Sequence, residues 1–320
     1  MSLLRVVKPG MLTTVQDLGR WGRQGLGVPV AGPMDLYSHQ LANSLVGNDP
    51  TAAALEITLI GPELEADDDV MCAVSGAAFT MLCGDAAAPM NEPFILPAGR
   101  RLRFGARGAG ARATLAVRGG LLVPPLFGSR ATSVVARLGG LDGRPLKAGD
   151  DLRVGEPAGT ASSSHGPVHP SANRGLGASL VPALPMPSGG ARLRVIRGPQ
   201  AKMFTAAAYD ALFASRYAIT SNSNRMGYRL EGAALAHAGA ADILSDATPI
   251  GSIQVPAAGQ PILLMADRQT TGGYPKVATV ISADLPLAGQ LAPGDWIEFH
   301  ECTRGQAVDA LRLRMKPFAR

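Results

Sequence analysis

The chain has 320 residues, 46% of them hydrophobic and 17% charged, enough apolar material for two ordinary cores and unlike a disordered protein. Its net charge of +5 sits on arginines scattered among acidic residues, with only five lysines among 30 basic positions and no basic run interleaved with aromatics. That pattern excludes nucleic-acid binding as the primary reading.

The 39 glycines and 25 prolines follow no collagen-like period, so they predict many turns and a mainly β fold with a few helices. In chain order, the first polar stretch is Thr13-Thr14-Val15-Gln16-Asp17-Leu18-Gly19-Arg20-Trp21-Gly22-Arg23, which alone reads as a structural turn before it reads as a site. Asp35 is a candidate N-cap for a helix that closes at Gly47, with Leu41 and Leu45 one turn apart. One pattern occurs three times, at Leu96 to Phe104, Leu146 to Val154 and Leu291 to Phe299. Each copy predicts a turn with glycine where φ must be positive, then a strand with apolar residues two apart. The recurrence supports two related β-barrel or sandwich halves.

From Glu156 to Gly190 the composition shifts to Ser, Pro, Gly and Ala. The chain is therefore divided into an N-terminal β domain (1–155), a linker or excursion (156–190) and a C-terminal β domain (191–320). His165 and His169 in the linker have a metal-compatible spacing, but no further ligands stand nearby and a solvated loop is expected. A second helix is predicted from about Gln200 to Ala214, behind Pro199, and a third from about Thr303 to Met315. Ser221 to Gly232, between them, has Asn and Gly at turn positions and places Arg225 in the turn.

The densest polar segment is Asp267-Arg268-Gln269-Thr270-Thr271-Gly272-Gly273-Tyr274-Pro275-Lys276. Its Gly-Gly pair lets backbone N–H groups approach a ligand without a Cβ in the way, and its side chains suit a polar, anionic group. Pro261 to Ala266 before it and Val277 to Ile281 after it read as buried strands. Pro275 biases Tyr274 toward extended backbone, which predicts Tyr274 and Lys276 on the same side. A long polar hairpin tip in solvent is the competing structural reading.

Cys72, Cys83 and Cys302 are odd in number and lack a CxxC spacing, so reduced, mostly buried thiols are expected. Met1-Ser2-Leu3-Leu4-Arg5 lacks a signal-peptide pattern and no apolar window reaches membrane-spanning length, so a cytoplasmic protein is expected. Walker A, GxSxG, HExxH and biotin-attachment motifs are absent. What remains is polar recognition by Arg, Lys and backbone donors, suited to a carboxylate, carbamoyl or phosphoryl group.

Five runs, Pro9 to Arg20, Ala42 to Asn48, Leu55 to Pro62, Ser223 to Leu230 and Asp267 to Lys276, together resemble the biotin-dependent carboxyltransferase-like proteins. That family includes the C subunit of 5-oxoprolinase, the Kip-antagonist regulators, allophanate hydrolase subunit 2 and part of the carboxyltransferase region of urea carboxylase. The resemblance implies two cyclophilin-like β-barrel domains working beside a sister B subunit of the same fold. In the 5-oxoprolinase branch an A subunit joins them as the third member, with ATP as co-substrate, to open an amide ring. In the urea carboxylase branch carboxybiotin, supplied by another chain, passes its carboxyl to urea. A chain without biotin carrier or carboxylase modules favours the first branch, and a non-catalytic regulator is the remaining alternative. The resemblance implies catalytic roles for Lys276, Arg268 and Tyr274. It implies substrate contacts from Arg225, Asn224, Asp267, Gln269, Thr270, Thr271, Gly272 and Gly273, and no metal ligands. Arg225 and Arg268 are expected to grip an anion two-pronged, and Asp267 to pin Arg268 or Lys276.

Overall fold

The computed structural model describes residues 2–157 and 182–318, so most of the predicted linker, with His165 and His169, lies outside the described residues. Two compact units emerge, Met1–Arg20 with Leu36–Met186 and Trp21–Asp35 with Pro187–Arg320. The segment 21–35, which the sequence reading kept with the N-terminal domain, groups with the C-terminal half.

The first unit contains β1 (Leu3–Lys8), β2 (Leu12–Gln16), β3 (Ala54–Thr58), β4 (Glu63–Ala66), β5 (Val70–Gly76), β6 (Phe79–Cys83), β7 (Ala86–Ala87), β8 (Pro93–Leu96), β9 (Arg101–Arg107), β10 (Arg112–Val117), β11 (Leu121–Leu122) and β12 (Asp151–Val154). They form a seven-stranded sheet, β11-β12-β1-β4-β9-β6-β7, and a five-stranded sheet, β2-β3-β10-β5-β8. Alternation decides which face is buried. Leu4, Val6, Leu64, Leu102 and Leu152 from the larger sheet share one core with Leu55, Ile57, Val74 and Leu115 from the smaller.

Helix α1 (Leu36–Leu45) begins directly after Asp35, and the chain turns out of it at Gly47, whose φ of 76° suits glycine. The helix packs on β3, β5 and β10 and is buried at every position after Leu36, the polar Ser38, His39, Gln40 and Asn43 included. Burial pushes the His39 imidazole down to about 4, against the pull of Asp17. An unfolded histidine titrates near 6.5, so between these values the unfolded chain binds more protons. The contribution of His39 is therefore full above pH 6.5 and is lost toward pH 4, by up to about 3 kcal/mol. Urea midpoints measured across this window should fall with pH, and His39→Gln should flatten the decline.

The second unit contains β13 (Gly190–Arg197), β14 (Arg216–Ile219), β15 (Gly227–Glu231), β16 (Asp246–Ala247), β17 (Ser252–Gln254), β18 (Ile262–Leu264), β19 (Thr271–Gly272), β20 (Lys276–Val280) and β21 (Trp296–Glu301). Seven of these close into a barrel, β13-β20-β17-β18-β15-β14-β21, while β16 and β19 form a separate two-stranded ribbon. Leu193, Val195, Tyr217, Tyr228, Leu263, Val277, Ile297 and Phe299 fill the barrel. The two expected β halves thus take different forms, two sheets around one core in the first unit and a closed barrel in the second.

Segment 21–35 is held to the barrel by specific contacts. Met34 belongs to the barrel's apolar cluster, the Arg225 guanidinium donates to the Gly32 carbonyl at 2.6 Å, and Gln290 donates to Asp35 at 2.6 Å. Gly289, the last residue of α3 (Leu285–Gly289), lies so close that a Cβ there would sit 2.2 Å from the Met34 carbonyl oxygen.

The repeated turn appears three times as expected, with Gly99, Gly149 and Gly294 at φ 67°, 88° and 94° before β9, β12 and β21. The second predicted helix is shorter than expected. A 3-10 turn at Ala201–Met203 ends in extended backbone, and α2 runs only from Ala206 to Ala214. The Thr205 side chain accepts from the Ala208 N–H, and this local cap sets the helix start in place of Pro199. The third helix, α4 (Arg304–Met315), starts at a capping box of Thr303 and Gln306. Among the described residues no helix is long and apolar enough to cross a membrane, and all three cysteines are free thiols.

Candidate functional site

The signature loop leaves β18 and enters β20, but these strands are not neighbours, because β17 lies between them and pairs with both. The loop therefore crosses the end of β17, and it is no solvent-facing hairpin tip. Asp267, Arg268 and Lys276 are 3%, 6% and 2% exposed.

The charged residues are distributed differently from the sequence expectation. Asp267 pins neither Arg268 nor Lys276. Its two oxygens each accept a 3.1 Å hydrogen bond from Arg225, a forked pair with both side chains almost fully buried. Main-chain bonds from Asp267 N–H to the Arg225 carbonyl and from Met265 N–H to the Met226 carbonyl align the two segments. The Asn224 side chain accepts from the Met226 N–H, shaping the turn that delivers Arg225 inward. The fork of Arg225 is thus committed to the protein itself.

Among the described residues Arg268 has no carboxylate hydrogen bond. Its Nε donates to the Thr248 carbonyl at 2.6 Å and Nη1 reaches the Met265 carbonyl at 3.5 Å, while Nη2 makes no hydrogen bond to the described protein. Desolvation pushes the guanidinium down to about 10, opposed by nearby Asp267, so it stays charged at neutral pH. A desolvated cation with a free donor is the group of the loop best suited to an anion.

Lys276 and Tyr274 do not share a side. Tyr274 is 41% exposed, whereas Lys276 is buried and its ammonium donates to Asp246 of β16 at 2.8 Å. Gln200 joins the pair, its amide nitrogen 3.3 Å from Asp246 and its oxygen accepting from the Lys276 N–H. The Lys276 contact holds the Asp246 carboxyl below its ordinary range.

A cleft of about 890 Å³ opens on the outside of the barrel across β15, β18 and β17, and of the predicted site residues Asn224, Gln269 and Tyr274 line it. Thr270 to Gly273 do not line it. They engage the ribbon, where β19 pairs with β16. Gln254 of β17, 1% exposed, joins the two parts by donating to the Tyr274 carbonyl and accepting from the Gln269 amide. That arrangement leaves the Gln269 side-chain oxygen as an unused acceptor among the described residues. Gly272 packs against the same amides, and a Cβ there would stand 2.8 Å from the Gln254 nitrogen.

Gln254, Thr248, Asp246 and Gln200 were missed by the sequence reading. Only Gln254 had a local signal, a polar residue between Ile253 and Val255 at the end of β17; the others join the loop from distant positions. Among the described residues no three His, Cys, Asp or Glu side chains are grouped for a metal. The other polar stretch, Thr13 to Arg20, is a framework of the first unit. Asp17 accepts from the Gly19 N–H and the Ser129 hydroxyl, and Gln16 donates to the Thr132 carbonyl.

Fold and site together define a mainly β protein of two units that carries an anion-suited loop beside a cleft on a closed barrel. The chain belongs to the family described as carboxyltransferase domain, subdomain A and B, which matches residues 26–301. It is similar to the C subunit of 5-oxoprolinase from Escherichia coli (strain K12), 37% identical over 316 residues that cover 99% of this chain and 96% of that protein. It is 35% identical over 310 residues to urea amidolyase of Lachancea kluyveri, covering 92% of this chain but 16% of that protein. The solved urea amidolyase of K. lactis aligns with a TM-score of 0.89 at 33% identity, over 98% of this chain and 19% of that one. Another solved protein, at 37% identity and a TM-score of 0.78, is matched over 94% of this chain and 55% of its own length.

Proposed function

We propose that this chain is the C subunit of an ATP-dependent 5-oxoprolinase, opening 5-oxo-L-proline to L-glutamate with sister A and B subunits in the cytoplasm. The observation that carries the reading is the near full-length similarity to the E. coli C subunit, 96% of which is covered. The site is compatible with it. A lactam resists hydrolysis because amide resonance stabilises it, and its opening needs a fixed positive charge where anionic oxygen develops.

In this reading the free Nη2 of Arg268 holds the carboxylate or the developing oxyanion of the substrate. The unused Gln269 oxygen accepts from the lactam N–H, and the Tyr274 hydroxyl orients the ring at the cleft edge. Arg225 and Asp267 hold the loop in place. The residues lining the cleft do not fit a triphosphate, since its one arginine, Arg229, stands two residues from Glu231 on the same face of β15. We therefore assign no step of nucleotide chemistry to this unit.

Mixing the purified chain with candidate A and B subunits, ATP and 5-oxo-L-proline tests the reading, with glutamate formation dependent on all three proteins as the expected result. Absence of glutamate from an assembled complex would refute it. The similarity to urea amidolyases favours one alternative, carboxyl transfer from carboxybiotin to urea or a related amide. In that case activity would require a biotinylated partner and be lost on adding avidin.

A further inference from the structure

Residues Ile243 to Thr248 form a strip laid along the signature loop. The Ile243 N–H donates to the Gly273 carbonyl at 2.9 Å, the Thr248 N–H to the Thr270 carbonyl at 3.2 Å, and the Thr248 hydroxyl to the Gln269 carbonyl. Between these ends β16 pairs with β19 over two residues. The strip contributes nothing to the barrel's apolar cluster, and Leu244, Ser245, Asp246 and Ala247 are exposed. A two-residue ladder whose outer residues, Leu244 to Ala247, stand in water and add no apolar packing marks an element of low local stability.

Beneath this strip lie both cations of the loop. The Lys276 side chain is 2% exposed and its ammonium has one partner among the described residues, the Asp246 carboxylate, which is itself 48% exposed. Arg268 grips the other end of the strip through the Thr248 carbonyl. An ammonium carries three donors, and a buried lysine without an anion is strongly disfavoured. Exchanging one carboxylate for another preserves both the charge balance and the volume at that position.

We infer that Asp246 is a built-in stand-in for an anionic ligand, and that Lys276 is the binding site of a ligand carboxylate or phosphoryl oxygen that enters by displacing it. Lifting the strip releases the Lys276 ammonium and the Arg268 Nε together, which turns a structural clamp into a two-cation anion site. The side chain given up is half in water, so its departure is mild. The inference rests on the reading of this loop as the site of an anionic substrate, and it names how the site is closed when empty.

The test is binding of two probes, 5-oxo-L-proline and inorganic phosphate, to the full chain by calorimetry, independent of turnover. Asp246→Asn keeps the size and the turn-forming side chain but removes the internal competitor. If the open form is about a tenth of the population, its affinity for at least one probe should rise about tenfold over wild type. Lys276→Met added to it should abolish the gain. Binding by Asp246→Asn equal to or weaker than wild type, or a gain that survives Lys276→Met, would overturn the inference. In the wild-type chain, saturation with the tighter probe should speed hydrogen exchange at the Ile243 and Thr248 amides, which bond the Gly273 and Thr270 carbonyls, and unchanged or slower exchange would equally overturn it. The two probes separate a carboxylate ligand from a phosphoryl one. Phosphate binding that follows this pattern in a chain that opens no lactam would leave the inference standing and remove the 5-oxoprolinase assignment.

Discussion

Asp267→Ala is expected to destabilise the second unit by about 3–5 kcal/mol, because it strands the Arg225 guanidinium in a site where that side chain is 5% exposed. Both tryptophans, Trp21 and Trp296, belong to this unit, so urea unfolding followed by their fluorescence reads it directly. The size of the effect follows from desolvation. The surface pair Arg101 and Glu65, at 44% and 32% exposure, should lose at most about 1 kcal/mol on the same treatment. Replacing both members of the buried pair, as Arg225→Met with Asp267→Leu, should restore much of the loss by leaving no unpaired charge. If Asp267→Ala unfolds within about 1 kcal/mol of wild type, the pair is not the clamp that sets the loop.

Arg268→Met is expected to behave in the opposite way, abolishing function while sparing the fold. In the reconstituted 5-oxoprolinase assay it should lower kcat/KM by about 10²–10³-fold, the usual consequence of removing a preorganised donor to a developing anion. Its thermal midpoint should stay near or above that of wild type. The guanidinium is buried without a carboxylate hydrogen bond, and an unpaired buried charge opposes folding. Arg268→Lys should not rescue turnover, since one ammonium cannot hold the Thr248 carbonyl and present a second, planar donor to the ligand. Turnover within threefold of wild type for Arg268→Met would remove this residue from the site.

The contrast between these neighbours shows how much of the site was legible in the sequence. Composition and flanking strands located the loop, and its residue types pointed to an anion. They did not tell Arg225 from Arg268, since both are arginines in Gly-rich polar turns. What separates them is the company each keeps, a buried carboxylate in one case and main-chain carbonyls in the other. The same holds for Lys276. Two positions from Tyr274 on an extended chain, it was expected to share the tyrosine's side, but the pairing of β17 with β20 shifts register beside Gln254, which faces Lys276. Alternation counted along one strand does not survive such an irregularity.

By itself the sequence determined what depends on neighbours in the chain. The glycine turns before β9, β12 and β21, the capping box of α4 and the strands on both sides of the signature loop all follow from local conformational preference and period. The tertiary structure alone decided the partners. Asp267 meets Arg225 across 42 positions, Lys276 meets Asp246 across 30, and segment 21–35 supplies Gly32 to an arginine 193 positions away. Such pairings depend on strand order in the barrel and on which charges must be neutralised once water is excluded. Neither condition exists until the chain has folded.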